Sequence, residues 1–192
     1  MKRLILILVS IFSIVFASQA NIYTVTSNAD SGSGTLREAL TTAAANGSSE
    51  KDYIKFNLPD LTENGRTINL VSQLPDLSSN LVIYGTRQAG AVIGKSSARV
   101  EIATPQNYIA IIIFKGQNIT NIEIYGFYLY DYSSPIISYP DLKYRAAVQI
   151  TDSSNITVGG ADKGNLISGF IGGTLDIENT DNVKIQGNTP TF

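Results

Sequence analysis

Asp176 and Glu178 stand two residues apart in Leu175-Asp176-Ile177-Glu178 and are the carboxylates best placed to act together. In an extended strand, residues i and i+2 project from one face, so both carboxylates would point outward while the aliphatic pair points inward. Hydrolysis of a glycosidic bond asks for two carboxyl groups about 5 to 9.5 Å apart, one giving a proton and the other attacking or activating water. These two could meet that requirement, although an ordinary solvated face uses the same residue types. Tyr128, Tyr130 and Tyr132 also share strand parity, and Lys143 and Arg145 follow. A row of rings with a basic neighbour can stack on sugar faces or on a protein partner. Aromatic residues also favour strands for their packing alone.

The composition removes other chemistries. The chain has neither histidine nor cysteine, so a histidine triad, an imidazole base, a thiol nucleophile, a disulfide and a histidine metal site are all excluded. Asp152, Asp162 and Asp181 lie in turn contexts, where aspartate is favoured for its local backbone bonding. They have none of the D-x-D-x-D spacing that a calcium loop uses. No metal and no cofactor is expected. The formal net charge of −2 offers a nucleic acid no electrostatic footprint, so no nucleic-acid partner is expected.

The elements that would position these side chains are legible as a repeat. Asn80-Leu81-Val82-Ile83-Tyr84-Gly85, Asn121-Ile122-Glu123-Ile124-Tyr125-Gly126, Asn155-Ile156-Thr157-Val158-Gly159-Gly160 and Asn182-Val183-Lys184-Ile185-Gln186-Gly187 have one form: asparagine, aliphatic, any, aliphatic, any, glycine. The asparagines are 41, 34 and 27 residues apart, so loops of unequal length must join equivalent strands. The last two copies agree further upstream, since Val148-x-Ile150 precedes Asn155 as Leu175-x-Ile177 precedes Asn182. Each frame therefore contains two short alternating strands around a polar corner, Asp152-Ser153-Ser154 in one of them. Such a unit buries its apolar face only when another stacks on it, and corner asparagines stacked in register can bond amide to amide. A leucine-rich repeat would instead bring leucines into the asparagine and a helical return after it. The pattern predicts an all-β fold, a parallel β-helix.

One segment departs from it. Thr35-Leu36-Arg37-Glu38 has the form of a capping box, Asn46-Gly47 that of a left-handed stop, and Leu36, Ala39, Leu40, Ala43 and Ala44 form an apolar stripe between them. An amphipathic helix at this place predicts a lid over the first open end of the stack.

Residues 1–20 begin with Lys2 and Arg3, continue as an apolar run and end in Ala17-Ser18-Gln19-Ala20, the layout of a secretory signal cleaved after Ala20. Residues 21–50 then hold an N-terminal strand and the capping helix, and residues 51–192 the β-helix coils. Lys184-Ile185-Gln186-Gly187-Asn188 opens what reads as a further coil, so an uncapped C-terminal edge, a shortened form of a longer protein and self-association through that edge are expected together.

Tyr23-Thr24-Val25-Thr26-Ser27-Asn28-Ala29-Asp30 followed by Gly34-Thr35-Leu36-Arg37-Glu38-Ala39-Leu40 resembles the CSLREA domain of exported bacterial right-handed parallel β-helix proteins. Gly34 stands where that family usually has cysteine and Thr35 where it has serine. Gly159-Gly160-Ala161-Asp162-Lys163-Gly164-Asn165-Leu166-Ile167-Ser168-Gly169 is similar to a G-G-x-x-x-G-N-x-I-S-G run in the coils of such proteins. The resemblance implies a right-handed β-helix outside the cell and leaves activity open, since adhesins, stalks and polysaccharide-acting enzymes share that architecture. The expected function is a non-catalytic surface or extracellular module for display or for binding glycan or protein, with no membrane contact after signal cleavage. The alternative is a polysaccharide lyase or glycoside hydrolase that uses Asp176 and Glu178.

Overall fold

The computed structural model describes residues 20–47, 49–94, 96–105, 111–132, 146–170 and 173–191. The signal segment, apart from Ala20, lies outside the described residues, as do Lys143 and Arg145. The described chain is all-β apart from one α-helix and two single 3-10 turns. Its strands are β1 (Ile22–Val25), β2 (Asp52–Phe56), β3 (Thr67–Asn69), β4 (Leu81–Tyr84), β5 (Val100–Ala103), β6 (Phe114–Gln117), β7 (Thr120–Tyr125), β8 (Phe127–Tyr130), β9 (Val148–Thr151), β10 (Ser154–Gly159), β11 (Leu166–Ser168), β12 (Leu175–Glu178), β13 (Asp181–Gln186) and β14 (Thr189–Thr191).

Every strand pair is parallel. Sheet A has the order β1-β2-β4-β7-β10-β13, sheet B β14-β11-β8-β5-β3 and sheet C β12-β9-β6. From β6 onward the chain visits C, A and B in rotation, three times over. The repeat frame thus holds three strands. The third, such as Leu166-Ile167-Ser168 in β11, is too short for alternation to register in the sequence.

Register follows the sequence frames. Ile83 is opposite Ile54 and Ile124, and Val158 is opposite Ile124 and Ile185. Ile68, Ile102, Leu129 and Ile167 make an equivalent row in sheet B. Apart from Ile185, which is exposed on the last strand, these inward rows, with Phe114, Val148 and Ile150 of sheet C, belong to one continuous buried cluster between the sheets. Alternation along each strand sends the intervening side chains outward.

The corner asparagines have a conformational reason that spacing alone did not disclose. Asn80, Asn121, Asn155 and Asn182 have φ of 60°, 61°, 56° and 52°, the left-handed region that asparagine tolerates best among residues with a side chain. Asn118, Asp152 and Asn179 form a second left-handed row three residues earlier. The expected amide ladder exists at two of three steps: Asn121 Nδ2 donates to Asn80 Oδ1 at 2.7 Å and Asn182 Nδ2 to Asn155 Oδ1 at 2.5 Å. Between them Asn155 Nδ2 turns to the Thr120 hydroxyl at 3.2 Å.

Helix α1 (Leu36–Asn46) packs on β1 and β2, with Leu36, Ala39, Leu40 and Ala43 buried. Ala44, expected in the buried stripe, is exposed. The Thr35 hydroxyl accepts from the Glu38 amide as the capping box requires, but the Glu38 carboxylate accepts from the Gly34 amide at 2.6 Å, not from Thr35. The turn through Gly34, at φ 75°, brings that earlier N–H to the first helical turn. Gly47 ends the helix at φ 58°. Buried Asp52 ties both neighbours down, accepting from Asn21 N and from Asn46 Nδ2, each at 2.8 Å.

Asn165 follows Gly164 in the run Gly159 to Gly169 and is completely buried. Its Oδ1 accepts from Phe127 N at 3.0 Å, and its Nδ2 donates to Ile124 O at 3.2 Å and to Asn188 Oδ1 at 2.9 Å. Asn188 Nδ2 repeats the contact one circuit later, donating to Val158 O at 2.8 Å. These two side chains close the bend between sheets A and B. Gly164 must precede the first of them, since a Cβ there would stand 1.6 Å from Gly187 O.

Candidate functional site

Asp176 and Glu178 lie on β12, the edge strand of sheet C, on its outward face. Their register partners are Gln149 and Thr151 on β9. Gln149 Nε2 donates to Asp176 Oδ2 at 2.8 Å, so this carboxylate is held by an amide from the neighbouring strand. Glu178 is exposed. The two share a face, as their spacing demanded, on an open strand.

Tyr128, Tyr130 and Tyr132 run along and just beyond β8 in sheet B. Their rings meet edge to face, with centroids 5.5 Å apart for the first pair and 4.2 Å for the second. Tyr128 also packs against Ile93, Ala98 and Leu166, because the chain between β4 and β5 folds over the outer face of sheet B. Tyr132 is the most exposed of the three, at 41%, and Tyr128 and Tyr130 are half-buried. Beside them stands Glu101 on β5, opposite Tyr128 and Thr67 and buried. Burial raises the Glu101 carboxyl above the ordinary range, opposed by hydrogen bonds from the Thr67 and Tyr132 hydroxyls and assisted by the charge of Glu63. Burial, then the charge of Glu101, pushes the Tyr128 phenol up to about 12. The cluster thus consists of rings packed around a carboxyl held toward its protonated form. Glu101 stands alone in the sequence as an acidic residue in Val-Glu-Ile-Ala, and nothing in that pattern distinguishes it from a solvated strand position.

The most organised outward-facing row is on sheet A, and its last ring, Tyr125, is buried. Tyr53, Tyr84 and Tyr125 stack across β2, β4 and β7, with centroids 6.0 and 5.5 Å apart and ring planes within 3° and 21° of parallel. Tyr84 and Tyr125 are register partners, each four residues after its left-handed asparagine. Equal frame positions in the sequence already placed those two rings over one another. Tyr53 was hidden because β2 has no such asparagine before it.

The two ends of this stack differ. Past Tyr125, the Lys163 ammonium sits 4.8 Å from the ring centroid, a cation–π contact. Glu123, opposite Val82 and two residues before Tyr125 on the same face, accepts from Lys51 Nζ at 2.5 Å and from the Tyr125 hydroxyl. Burial opposes its ionisation, yet the Lys51 ammonium and the Tyr125 hydroxyl outweigh burial and hold the carboxyl below the usual range. Burial and Glu123 together push the Tyr125 phenol strongly up, so it remains a hydrogen-bond donor. Past Tyr53 the neighbouring strand β1 offers only Ile22 and Thr24 on this face, and a groove of about 760 Å³ opens there, bordered also by Lys55, Tyr84 and Arg87. Volumes of this order hold small-molecule and sugar ligands.

Among the described residues no group of three or more acidic side chains converges as a metal site would require. No helix among them is long and apolar enough to cross a membrane. No protein-family model matches the chain, and no curated protein matches it in sequence.

Proposed function

We propose that this chain is an exported right-handed parallel β-helix module of the CSLREA type that binds glycan through the outer face of sheet A. The observation that carries the reading is the Tyr53-Tyr84-Tyr125 stack, closed by Lys163 at one end and bordered by an open groove at the other. Apolar C–H faces of a sugar ring pack on aromatic rings, and surrounding polar groups bind its hydroxyls. The rotation of strands among sheets C, A and B supports a coiled chain, and parallel crossovers are right-handed in nearly all proteins. In that coil α1 is the lid on the β1 end. Residues 1–20 support export by their charge and apolar pattern. Val183 and Ile185, exposed on β13 at inward-facing positions, are where copies of the module would associate.

Affinity electrophoresis of the purified protein through gels containing neutral and acidic polysaccharides tests the binding reading. Retardation by at least one glycan, reduced in Tyr84→Ala, is expected. Unchanged mobility of the native protein in every gel would refute glycan binding.

A polysaccharide hydrolase is the second reading, favoured by the raised Glu101 carboxyl beside Tyr128 and Tyr132. Release of reducing ends that disappears in Glu101→Gln, or in Asp176→Asn or Glu178→Gln, would replace the binding reading with this one.

A further inference from the structure

We infer that the groove beside Tyr53 takes an anionic sugar residue, its ring against the tyrosine stack and its carboxylate or sulfate between Lys55 and Arg87. The inference rests on the glycan-binding reading and specifies which glycan. The stack has one free end. On the Tyr125 side Lys163 occupies the ring face, whereas on the Tyr53 side β1 presents only the exposed Ile22 and Thr24, neither of which carries a ring, and a groove is open there. A planar or chair-shaped ring entering there continues a column already built from three rings.

The charges around that end select the sign of the ligand. Lys55 is the register partner of Tyr84, and Arg87 follows it in the 3-10 turn after β4. Both line the groove and both are exposed. No ion pair to either exists among the described residues, and no carboxylate lines the groove. The nearby carboxylate, Glu123, is already held by Lys51 and Tyr125. Two cations flanking a stacking surface are a receptor for one anionic group attached to a ring. Asn57 and Thr24 at the same groove supply polar partners for hydroxyls. A polynucleotide also presents rings and anions, but its affinity comes from neutralising many phosphates at once. The chain's net charge of −2 and this pair of cations suit a single anionic sugar unit better.

The test compares three oligosaccharides of equal length and linkage: an oligouronate, its carboxyl-reduced neutral counterpart and a sulfated form of that counterpart, each titrated calorimetrically into the purified protein. A single-stranded oligonucleotide is titrated as a fourth ligand. At low salt the oligouronate or the sulfated form is expected to bind about tenfold or more tightly than the neutral form. That preference should vanish in the Lys55→Gln, Arg87→Gln double variant, while weak neutral binding persists. Tyr53→Ala should weaken all three. Circular dichroism of the double variant should match the parent, since both side chains are exposed.

Preference for carboxylate over sulfate, or the reverse, identifies the anion and supports the site in either case. Equal affinity for charged and neutral forms would overturn the anionic assignment while leaving glycan binding intact. Preference that survives the double variant would move the site elsewhere. No binding of any oligosaccharide would remove both readings, and equal or tighter binding of the oligonucleotide would overturn the choice of a sugar.

Discussion

Replacing Asn165 by leucine removes a polar side chain of similar volume from a fully buried position, so the loss is one of hydrogen bonding more than of packing. The Phe127 N–H loses its acceptor and is left in the interior, which costs about 1–3 kcal/mol. The contacts to Ile124 O and Asn188 Oδ1 contribute about 0.5–1.5 kcal/mol each. The expected destabilisation is therefore about 2–6 kcal/mol, and for a chain of this size a loss of about 4 kcal/mol lowers the melting temperature by roughly 10 °C. Urea unfolding followed by circular dichroism measures it. Asn188→Leu is the comparison: it removes the bond to Val158 O and the two that Asn188 Oδ1 accepts from Asn165 N and Nδ2, but that side chain is only half-buried, so water replaces part of what is lost. Its cost should be the smaller of the two. An Asn165→Leu protein within about 0.5 kcal/mol of the parent would refute the assignment of Asn165 as the internal brace between sheets A and B.

Leu40→Ala, at a residue 1% exposed beneath α1, should cost about 2–5 kcal/mol by thermal melting, whereas Ala44→Ser on the open side should be nearly silent. Gly164→Ala should destabilise far more than Gly160→Ala, because the added Cβ meets Gly187 O at 1.6 Å in the first case and only Lys163 side-chain carbon at 3.5 Å in the second; a pair of urea titrations decides it. Burial raises the Glu101 carboxyl, so the folded chain holds that proton to higher pH than the unfolded chain does. Stability should fall as pH rises from the ordinary glutamate range through the raised value. Glu101→Gln should flatten that portion of a melting-temperature profile, and an unchanged profile would count against the burial of this carboxyl.

The sequence displayed sheet A most clearly, and the reason is conformational. Asn80, Asn121, Asn155 and Asn182 must adopt positive φ, which few residue types do cheaply, so the same residue returns at the same place. The aliphatic pairs after the first three point into the core and were legible as inward positions. Outward positions carry no such requirement. Tyr53 joins Tyr84 and Tyr125 through β2, whose preceding residues contain no left-handed asparagine, and the third ring was invisible for that reason. Sheet B strands such as Leu166–Ser168 are three residues long, too few for an alternation to stand out. Thr35 and Glu38 were legible as a cap, but the choice of the Gly34 amide over that of Thr35 depends on the bend at Gly34, a matter of backbone angle. Asp176 and Glu178 share the face that their spacing predicted, while the Gln149 contact to Asp176 depends on strand register between distant segments.

The unequal spacing of the asparagines bears on how readily this chain could acquire new surface. Pairing one frame on the next closes a loop of 27, 34 or 41 residues. Loop-closure entropy grows only with the logarithm of length, so the longest of these costs about 0.4 kcal/mol more than the shortest. Register is held by backbone pairing, left-handed corners and buried rows, and none of them counts the residues that lie between. A segment inserted after β8 or before β5 would extend outward with little penalty to the strands it joins. The molecule separates what must recur from what is free to vary, and selection or engineering can exchange loops on it one at a time.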